Sequence, residues 1–117
     1  MKTHRDLNVW KNSILLVKEI YLLTDNFPRE EIYGLTSQIR RVAVSVPANI
    51  AEGAGRHYKK ENIQFLYISQ ASLSELETLL IISSELSFMS HEKYKYFENK
   101  MNEIRSQLSG LIKYYNK

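Results

Sequence analysis

Hydrophobic residues recur at intervals of three and four along most of the chain, which is the spacing of amphipathic α-helices. The most regular run lies near the C-terminus, after Ser90, whose hydroxyl is a good helix N-cap. Its apolar stripe consists of Tyr94, Phe97, Met101, Ile104, Leu108, Leu111 and Tyr115. This pattern predicts a helix that packs along its whole length in a left-handed bundle.

Two more helices are predicted upstream, over residues 7–24 and from residue 59 or 60 to 86. Asp6 is the expected cap of the first helix, whose stripe is Leu7, Trp10, Ile14, Val17 and Tyr21, widened by Leu16, Ile20 and Leu23. The stripe of the later helix is Ile63, Leu66, Gln70, Leu73, Glu77 and Leu80. Further apolar residues lie on its other faces, namely Phe65, Ile68, Leu76, Leu79, Ile81 and Ile82. Either another subunit covers this outer side, or the helix lies in the middle of its own bundle.

Residues 36–56 read TSQIRRVAVSVPANIAEGAGR and predict the helix around which the others pack. Thr36 or Ser37 can cap its start, and Gly53 and Gly55 can end it in the left-handed conformation. Pro47 is unusual, because it leaves the carbonyl of Ala43 without its helical partner at a usual cost of about 3 kcal/mol. A strand over VAVSV is the alternative, but helical spacing continues to Ile50 and favours a kinked helix.

Four helices joined by short turns predict an all-α, antiparallel up-down-up-down four-helix bundle with a proline-kinked second helix, formed by one domain over residues 1–117. Residues 24–28 predict a turn, residues 29–33 a short helical turn, and Phe27 is expected to close the end of the core. If the second and third helices are antiparallel about residues 58 and 59, the numbers of facing residues sum to about 117.

This register predicts a structural polar network between the two helices. Gln70 or Ser74 would hydrogen-bond the carbonyl freed by Pro47, and Glu77 would pair with Arg40 or Arg41, because buried polar groups need partners. The predicted network comprises Gln38, Arg40, Arg41, Asn49, Glu52, Gln70, Ser74, Glu75 and Glu77. Alternatively, the two arginines contact phosphates.

Charge is unevenly distributed along the chain, whose net charge is +3. Residues 61–89 contain four glutamates and no lysine or arginine, whereas the segments on both sides carry an excess of basic residues. The charges either pair within or between subunits, or the basic segments bind a polyanion. The candidate contacts to nucleic acid are Arg56, Tyr58, Lys59, Lys60, Lys93, Lys95, Lys100, Arg105 and Lys113. Tyr58 either stacks on a base or packs over the turn.

An enzyme is not expected from these residues. There is no cysteine, and His4, His57 and His91 are scattered without metal-ligand spacing. Gly53 and Gly55 end a helix, whereas phosphate-binding loops open one. The sequence therefore predicts no catalytic residue, cofactor, metal or small-molecule substrate. Lacking a membrane-length apolar run and an N-terminal signal, it is expected to be cytoplasmic and not to enter a membrane.

The run GLTSQIRRVAVSVPANIAEGAGR, with FPREE before it and SLSELETLL after it, resembles the four-helix-bundle family of bacterial 23S rRNA intervening-sequence proteins. That family includes the accessory variability protein of diversity-generating retroelements. The resemblance covers nearly the whole chain, although Val42 stands where the family often has alanine. It implies a ring-like homopentamer with a basic surface that binds nucleic acid. The alternative is a protein-interaction scaffold that docks an acidic partner, such as a nucleic-acid enzyme.

Overall fold

The computed structural model describes residues 3–117, which form four α-helices. They are α1 (Asn8–Thr24), α2 (Leu35–Ala54), α3 (Lys59–Glu85) and α4 (His91–Tyr115), and short 3-10 helices at His4–Asp6 and Arg29–Glu31 precede α1 and α2. No strand occurs within residues 3–117, so the all-α prediction is confirmed and the strand alternative at Pro47 is wrong. The helices pack into an elongated bundle of 44 × 24 × 20 Å.

The core is built from the apolar stripes of all four helices, and on α1 the predicted stripe is buried only in part. Ile14 and Tyr21 are 42% and 41% exposed, whereas Leu16 and Ile20 are buried together with Thr24. Both sides of α1 are apolar, so periodicity alone does not select the buried side. The buried side of α1 also carries two polar residues, Ser13 and Thr24. They donate to the carbonyls of Val9 and Ile20, at 2.7 and 2.8 Å, which satisfies their hydroxyls inside the core.

The other helices follow their predicted stripes closely. On α4 the stripe from Tyr94 to Leu108 is buried, and the Ser90 hydroxyl accepts from the Lys93 backbone N–H at 3.0 Å, as a cap should. In the last turns Ile112 is buried and Leu111 packs only partly against the core. Phe27 closes one end of the core, as predicted, with its ring centroid 5.7 Å from that of Phe88.

The predicted helix caps at the start of α1 and at both ends of α2 are wrong. The N-cap of α1 is Leu7, without a side-chain bond, while Asp6 accepts from the Thr3 backbone. The N-cap of α2 is Gly34, and the Glu31 carboxylate accepts from Leu35 N at 3.2 Å, so neither Thr36 nor Ser37 is needed. At the other end, Gly55 has φ −84° and adopts the right-handed helical conformation, not the predicted left-handed one.

Close packing of α2 on α3 explains Gly53 instead. A Cβ at this position would lie 2.7 Å from Asn62 Oδ1 and 3.0 Å from both Asn62 O and Phe65 Cβ. Only glycine lets the end of α2 approach the start of α3 this closely. Gly110, by contrast, has no neighbour within 4 Å of an added Cβ among the described residues, so it does not mark a close contact there.

By length and composition, α3 could cross a membrane, contrary to the expectation that the chain contains no such segment. The core helix of a soluble protein meets the same criterion. Here α3 packs against both α2 and α4. The single-domain prediction began at residue 1, and its first two residues lie outside the described part of the chain.

Candidate nucleic-acid interface

The α2–α3 turn presents a cluster of candidate residues at one end of the bundle. Arg56, Tyr58, Lys59 and Lys60 are all exposed, and Tyr58 has 65% of its surface accessible. The Tyr58 ring meets His57 edge-on, with centroids 4.7 Å apart, and its accessible face is open for stacking. Tyr58 thus contacts its neighbour in the turn and still reaches solvent.

Arg56 is the most constrained cation of this cluster. Its Nη2 lies 2.9 Å from Glu52 Oε2, and its guanidinium carbon lies 4.7 Å from the centroid of the Phe65 ring. The Arg56–Glu52 ion pair is solvent-exposed, so it contributes little to stability. Arg56 can therefore exchange this contact for one with a phosphate. Glu52, a member of the predicted polar network, is therefore paired with Arg56 in the structure.

Lys59 and Lys60 occupy the first turn of α3. Positive charge is disfavoured at a helix N-terminus by the helix dipole, so helix stability does not account for these two lysines. The N-cap residue Tyr58 makes no side-chain cap bond, which leaves the first backbone N–H groups of α3 available to an anion. Lysine ammonium groups and backbone donors thus face the same end of the bundle.

The α4 cations do not form one patch with this cluster. Gln70 Nε2 lies 3.0 Å from Ser109 Oγ, and Arg105 Nη2 lies 3.5 Å from Glu77 Oε1. These contacts place the end of α4, with Lys113, toward the start of α3. Lys93 is about 30 Å away along α4 at 1.5 Å per residue. Only Lys113 is therefore brought toward the α2–α3 turn.

Several α4 cations are also engaged within the chain. Lys95 Nζ lies 3.2 Å from Glu98 Oε1, and Lys100 Nζ lies 5.6 Å from the centroid of the Tyr96 ring. Arg105 bonds Asn102 in addition to Glu77. Lys93 and Lys113 are exposed and form no ion pair with any residue in the described range 3–117.

A tyrosine and a glutamate on α4 have shifted pKa values. Burial, followed by the nearby Glu98 carboxylate, raises the pKa of Tyr94 to about 12, and its hydroxyl donates to Glu98 at 3.2 Å. The hydrogen bond from Lys95 lowers the pKa of Glu98. Tyr94, Lys95 and Glu98 therefore satisfy one another on α4. The negative charge of Glu98 does not favour binding of a polyanion at this part of the helix.

The predicted pairing of Arg40 or Arg41 with Glu77 is wrong. Arg40 turns toward α1, where its Nε donates to Thr24 Oγ1 at 2.8 Å and its Nη2 pairs with Asp25 Oδ1 at 3.0 Å. Glu77 instead contacts Arg105 on α4. Arg40 lies on the α1 side of α2, so it cannot also reach α3.

The predicted partners of the carbonyl freed by Pro47 are wrong as well. Gln70 donates to Ser109, and the backbone carbonyl of exposed Ser74 accepts from Thr78. A different hydroxyl on α3, that of Ser69, donates to α2, and its acceptor is Val46 O at 2.9 Å. Of the remaining network residues, Asn49 donates to Ser45 O at 2.8 Å. Gln38, Arg41 and Glu75 are exposed.

The sequence reasoning missed a row of buried serines on α3. Ser69 and Ser83 are fully buried, and Ser72 Oγ lies 2.7 Å from Ser45 Oγ on α2. These residues were detectable, because Ser69, Ser72 and Ser83 share a face with Leu66, Leu73 and Leu80. The residue numbers of Ser45 and Ser72 sum to 117, the value expected for facing residues of this helix pair.

The three histidines lie on separate elements, and no group of three His, Asp or Glu residues that could hold a metal occurs in the part of the chain that the structure describes. A family model described as 23S rRNA-intervening sequence protein matches residues 5–110. The chain belongs to this family. The match confirms the resemblance drawn from the residues around Pro47.

A similar solved structure supports the fold. It is described as a protein with unknown function from the S23 ribosomal protein family of Bacteroides thetaiotaomicron. The two chains are 24% identical, with a TM-score of 0.82, and the match covers 90% of this chain and 95% of the other. A search of curated proteins gave no match. At this level of identity the likeness establishes the shared helical fold alone.

Proposed function

We propose that this member of the 23S rRNA-intervening sequence protein family is a non-catalytic, oligomeric bundle protein that binds nucleic acid electrostatically and with weak sequence specificity. The observation that carries the proposal is the joint exposure of Arg56, Tyr58, Lys59 and Lys60 at the start of α3. Ammonium groups and free helix N–H groups both favour phosphate oxygens. Lys113 extends the basic surface along α4. The family name connects the chain with ribosomal RNA genes and is consistent with a nucleic-acid ligand.

The proposal includes an antiparallel up-down-up-down arrangement in which Pro47 kinks α2. Contacts between α2 and α3 support this arrangement, because the partner number on α3 falls as the number on α2 rises. Ser45 meets Ser72, Val46 meets Ser69, and Gly53 approaches Asn62. A cytoplasmic location is part of the same proposal and agrees with the absence of cysteine.

Exposed apolar residues on opposite sides of the bundle favour a homo-oligomer. The outer face of α1 alternates lysine and leucine, through Lys11, Leu15, Lys18 and Leu22. The outer face of α3 combines isoleucine with glutamate, through Ile68, Glu75, Ile82 and Glu85. The α1 face of one copy is therefore complementary in charge to the α3 face of another, and both offer apolar area.

Such a contact joins two different surfaces, so repetition closes a ring when the rotation between copies allows it. The proposed number of five subunits comes from the resemblance to the family. Light scattering should give five times the 13.7 kDa mass of the chain. Ile68→Glu should lower that mass, because it places a charge in the apolar contact. A monomeric mass for the unaltered protein would reject the ring.

Fluorescence anisotropy with a structured RNA and a duplex DNA tests the binding proposal. If each site neutralises about three phosphates, affinity should fall roughly 40-fold between about 50 and 200 mM salt. The double variant Lys59→Gln/Lys60→Gln should reduce the slope of log affinity against log salt by about 2. Absence of binding at low salt, or a slope near zero, rejects the proposal.

A charge-matched control separates this end of the bundle from general electrostatics. Arg29→Gln/Arg41→Gln removes the same charge from exposed positions outside the α2–α3 turn and should leave affinity within about twofold. An equal loss in both double variants would reject the α3 end as the interface. If nucleic acid does not bind but a nuclease-treated acidic protein does, the scaffold alternative replaces the proposal.

A further inference from the structure

A cavity lies away from the proposed nucleic-acid interface, where α1 ends and α2 begins. Its volume is about 420 Å³, within the range of pockets that bind small molecules. The walls include Thr24, Asp25, Phe27, Ile32, Thr36 and Arg40. Arg29 also lines it, so the charged residues around the cavity are two arginines and one aspartate.

Arg40 is held rigidly in one wall of this cavity. Its side chain is only 22% exposed, and its Nε and Nη2 are fixed by Thr24 Oγ1 and Asp25 Oδ1. Its guanidinium carbon also lies 4.6 Å from the centroid of the Tyr21 ring. Nη1 makes no hydrogen bond to any residue from 3 to 117. A preorganised guanidinium with unused donors is well suited to an oxyanion.

Thr36 supplies an independent observation. It is 2% exposed, and its Oγ1 is the one buried side-chain polar atom, among the residues described, that lacks a hydrogen-bond partner. A buried hydroxyl is normally satisfied. Thr36 also lines the cavity, so a polar group bound there can satisfy its Oγ1 once a small movement of the wall exposes this buried atom.

The rest of the wall is apolar and determines the shape of a ligand. Phe27 is buried, while Ile32 is 48% exposed toward the opening. Arg29 is exposed and adds a second positive charge. Asp25, at 69% side-chain exposure, lies in solvent and balances only one of the two arginines.

We infer that this cavity binds a small carboxylate joined to a compact apolar group. The carboxylate accepts from Arg40 Nη1 and from Arg29, the Thr36 hydroxyl donates to it, and the apolar group lies against Phe27 and Ile32. The site shares no residue with the α2–α3 turn, so it stands or falls independently of nucleic-acid binding.

Benzoate and its neutral analogue benzamide are suitable probes, because they differ little in shape. Saturation-transfer NMR titrations on the intact protein should show saturable benzoate binding, with a Kd about tenfold lower than that of benzamide. Arg29→Gln and Thr36→Val should each weaken benzoate at least about threefold. Arg29 is exposed and Thr36→Val keeps the side-chain shape, so both variants should fold.

Arg41→Gln is the matched control, because Arg41 is an exposed arginine that does not line the cavity. It should change the benzoate Kd by less than about twofold. The inference is overturned if benzamide binds as well as benzoate, or if Arg41→Gln weakens benzoate as much as Arg29→Gln. It is also overturned if Thr36→Val leaves binding unchanged.

Discussion

The α2–α3 contact and the α1–α4 contact join helices of the same bundle in different ways. Between α2 and α3 the meeting residues are small, with Gly53 against Asn62 and Ser45 Oγ 2.7 Å from Ser72 Oγ. Between α1 and α4 long side chains reach across, as in the 3.0 Å hydrogen bond from Asn12 to Gln107 and the bond from Tyr96 to Glu19. A groove of about 510 Å³ remains beside the second bond.

This difference separates the part of the bundle that fixes its geometry from the part that is adaptable. Where backbones approach closely, one added methyl group must displace a neighbour, because protein interiors are close-packed. Where long polar side chains bridge a groove, they can change rotamer or bind water at little cost. We therefore expect substitutions to be severe between α2 and α3 and mild between α1 and α4.

Gly53→Ala should have the largest effect on stability. The added Cβ meets Asn62 O and Phe65 Cβ, each 3.0 Å away, so α2 and α3 must move apart. Overpacking of this kind should lower the free energy of unfolding by about 2 kcal/mol, despite the better helix propensity of alanine. Urea denaturation followed by circular dichroism measures the change.

Gly110→Ala is the control for this substitution. Its Cβ would meet no described residue within 4 Å, so only helix propensity acts, and the free energy of unfolding should rise by about 1 kcal/mol. Equal effects of the two alanines would show that the close approach at Gly53 does not limit packing.

Ser72→Ala should have an intermediate effect. The Ser45 hydroxyl lies 2.7 Å from Val42 O as well as from Ser72 Oγ. The Ser45 hydroxyl has one proton, which it donates either to Ser72 or to Val42 while accepting from Ser72, and in both cases Ser72→Ala removes the bond between the helices. Loss of this bond should cost about 1 kcal/mol.

A double-mutant cycle with Ser45→Ala isolates the interaction between these two serines. The two single losses should exceed the loss in the double variant by about 0.5 kcal/mol or more, because both remove the same bond. Strict additivity would mean that the serines act independently, each through its own helix.

The same distinction explains what sequence reasoning could predict. Periodicity correctly gave four helices and the α4 stripe, because the period of a helix is encoded locally. Ser45 and Ser72, which contact each other, have residue numbers that sum to the 117 expected from the position of the α2–α3 turn. On α1 only Ile14 and Tyr21 were wrongly placed in the core, because they are as apolar as Leu16 and Ile20, which are buried, and only the whole fold decides between them.

The candidate site was less predictable than the fold. Exposed lysines near a turn were identifiable, but sequence does not specify which carboxylate an arginine selects. Arg40 bonds Asp25, which lies fifteen residues earlier in the chain, because the end of α1 packs beside α2. The cavity around Thr36 was also undetectable, since it depends on how the α1–α2 connection folds over the end of the core.

Tyr94 offers the smallest effect at neutral pH and a sharper test at high pH. Burial and the Glu98 carboxylate raise the pKa of Tyr94 from 10.0 to about 12 in the folded chain. The folded state therefore holds this proton more tightly than the unfolded state. Its stabilising contribution is complete below pH 10 and is lost as the pH rises toward 12.

Urea denaturation of the unaltered protein should therefore show a decline in the free energy of unfolding over this pH interval. Tyr94→Phe should show a shallower decline, because phenylalanine has no proton to lose. Tyr114→Phe, at a position 62% exposed on the same helix, is the control and should follow the unaltered protein. If Tyr94→Phe follows the unaltered protein as well, Tyr94 has the same pKa in the folded and unfolded states. The α4 face around Glu98 would then be as open to solvent as the groove beside α1.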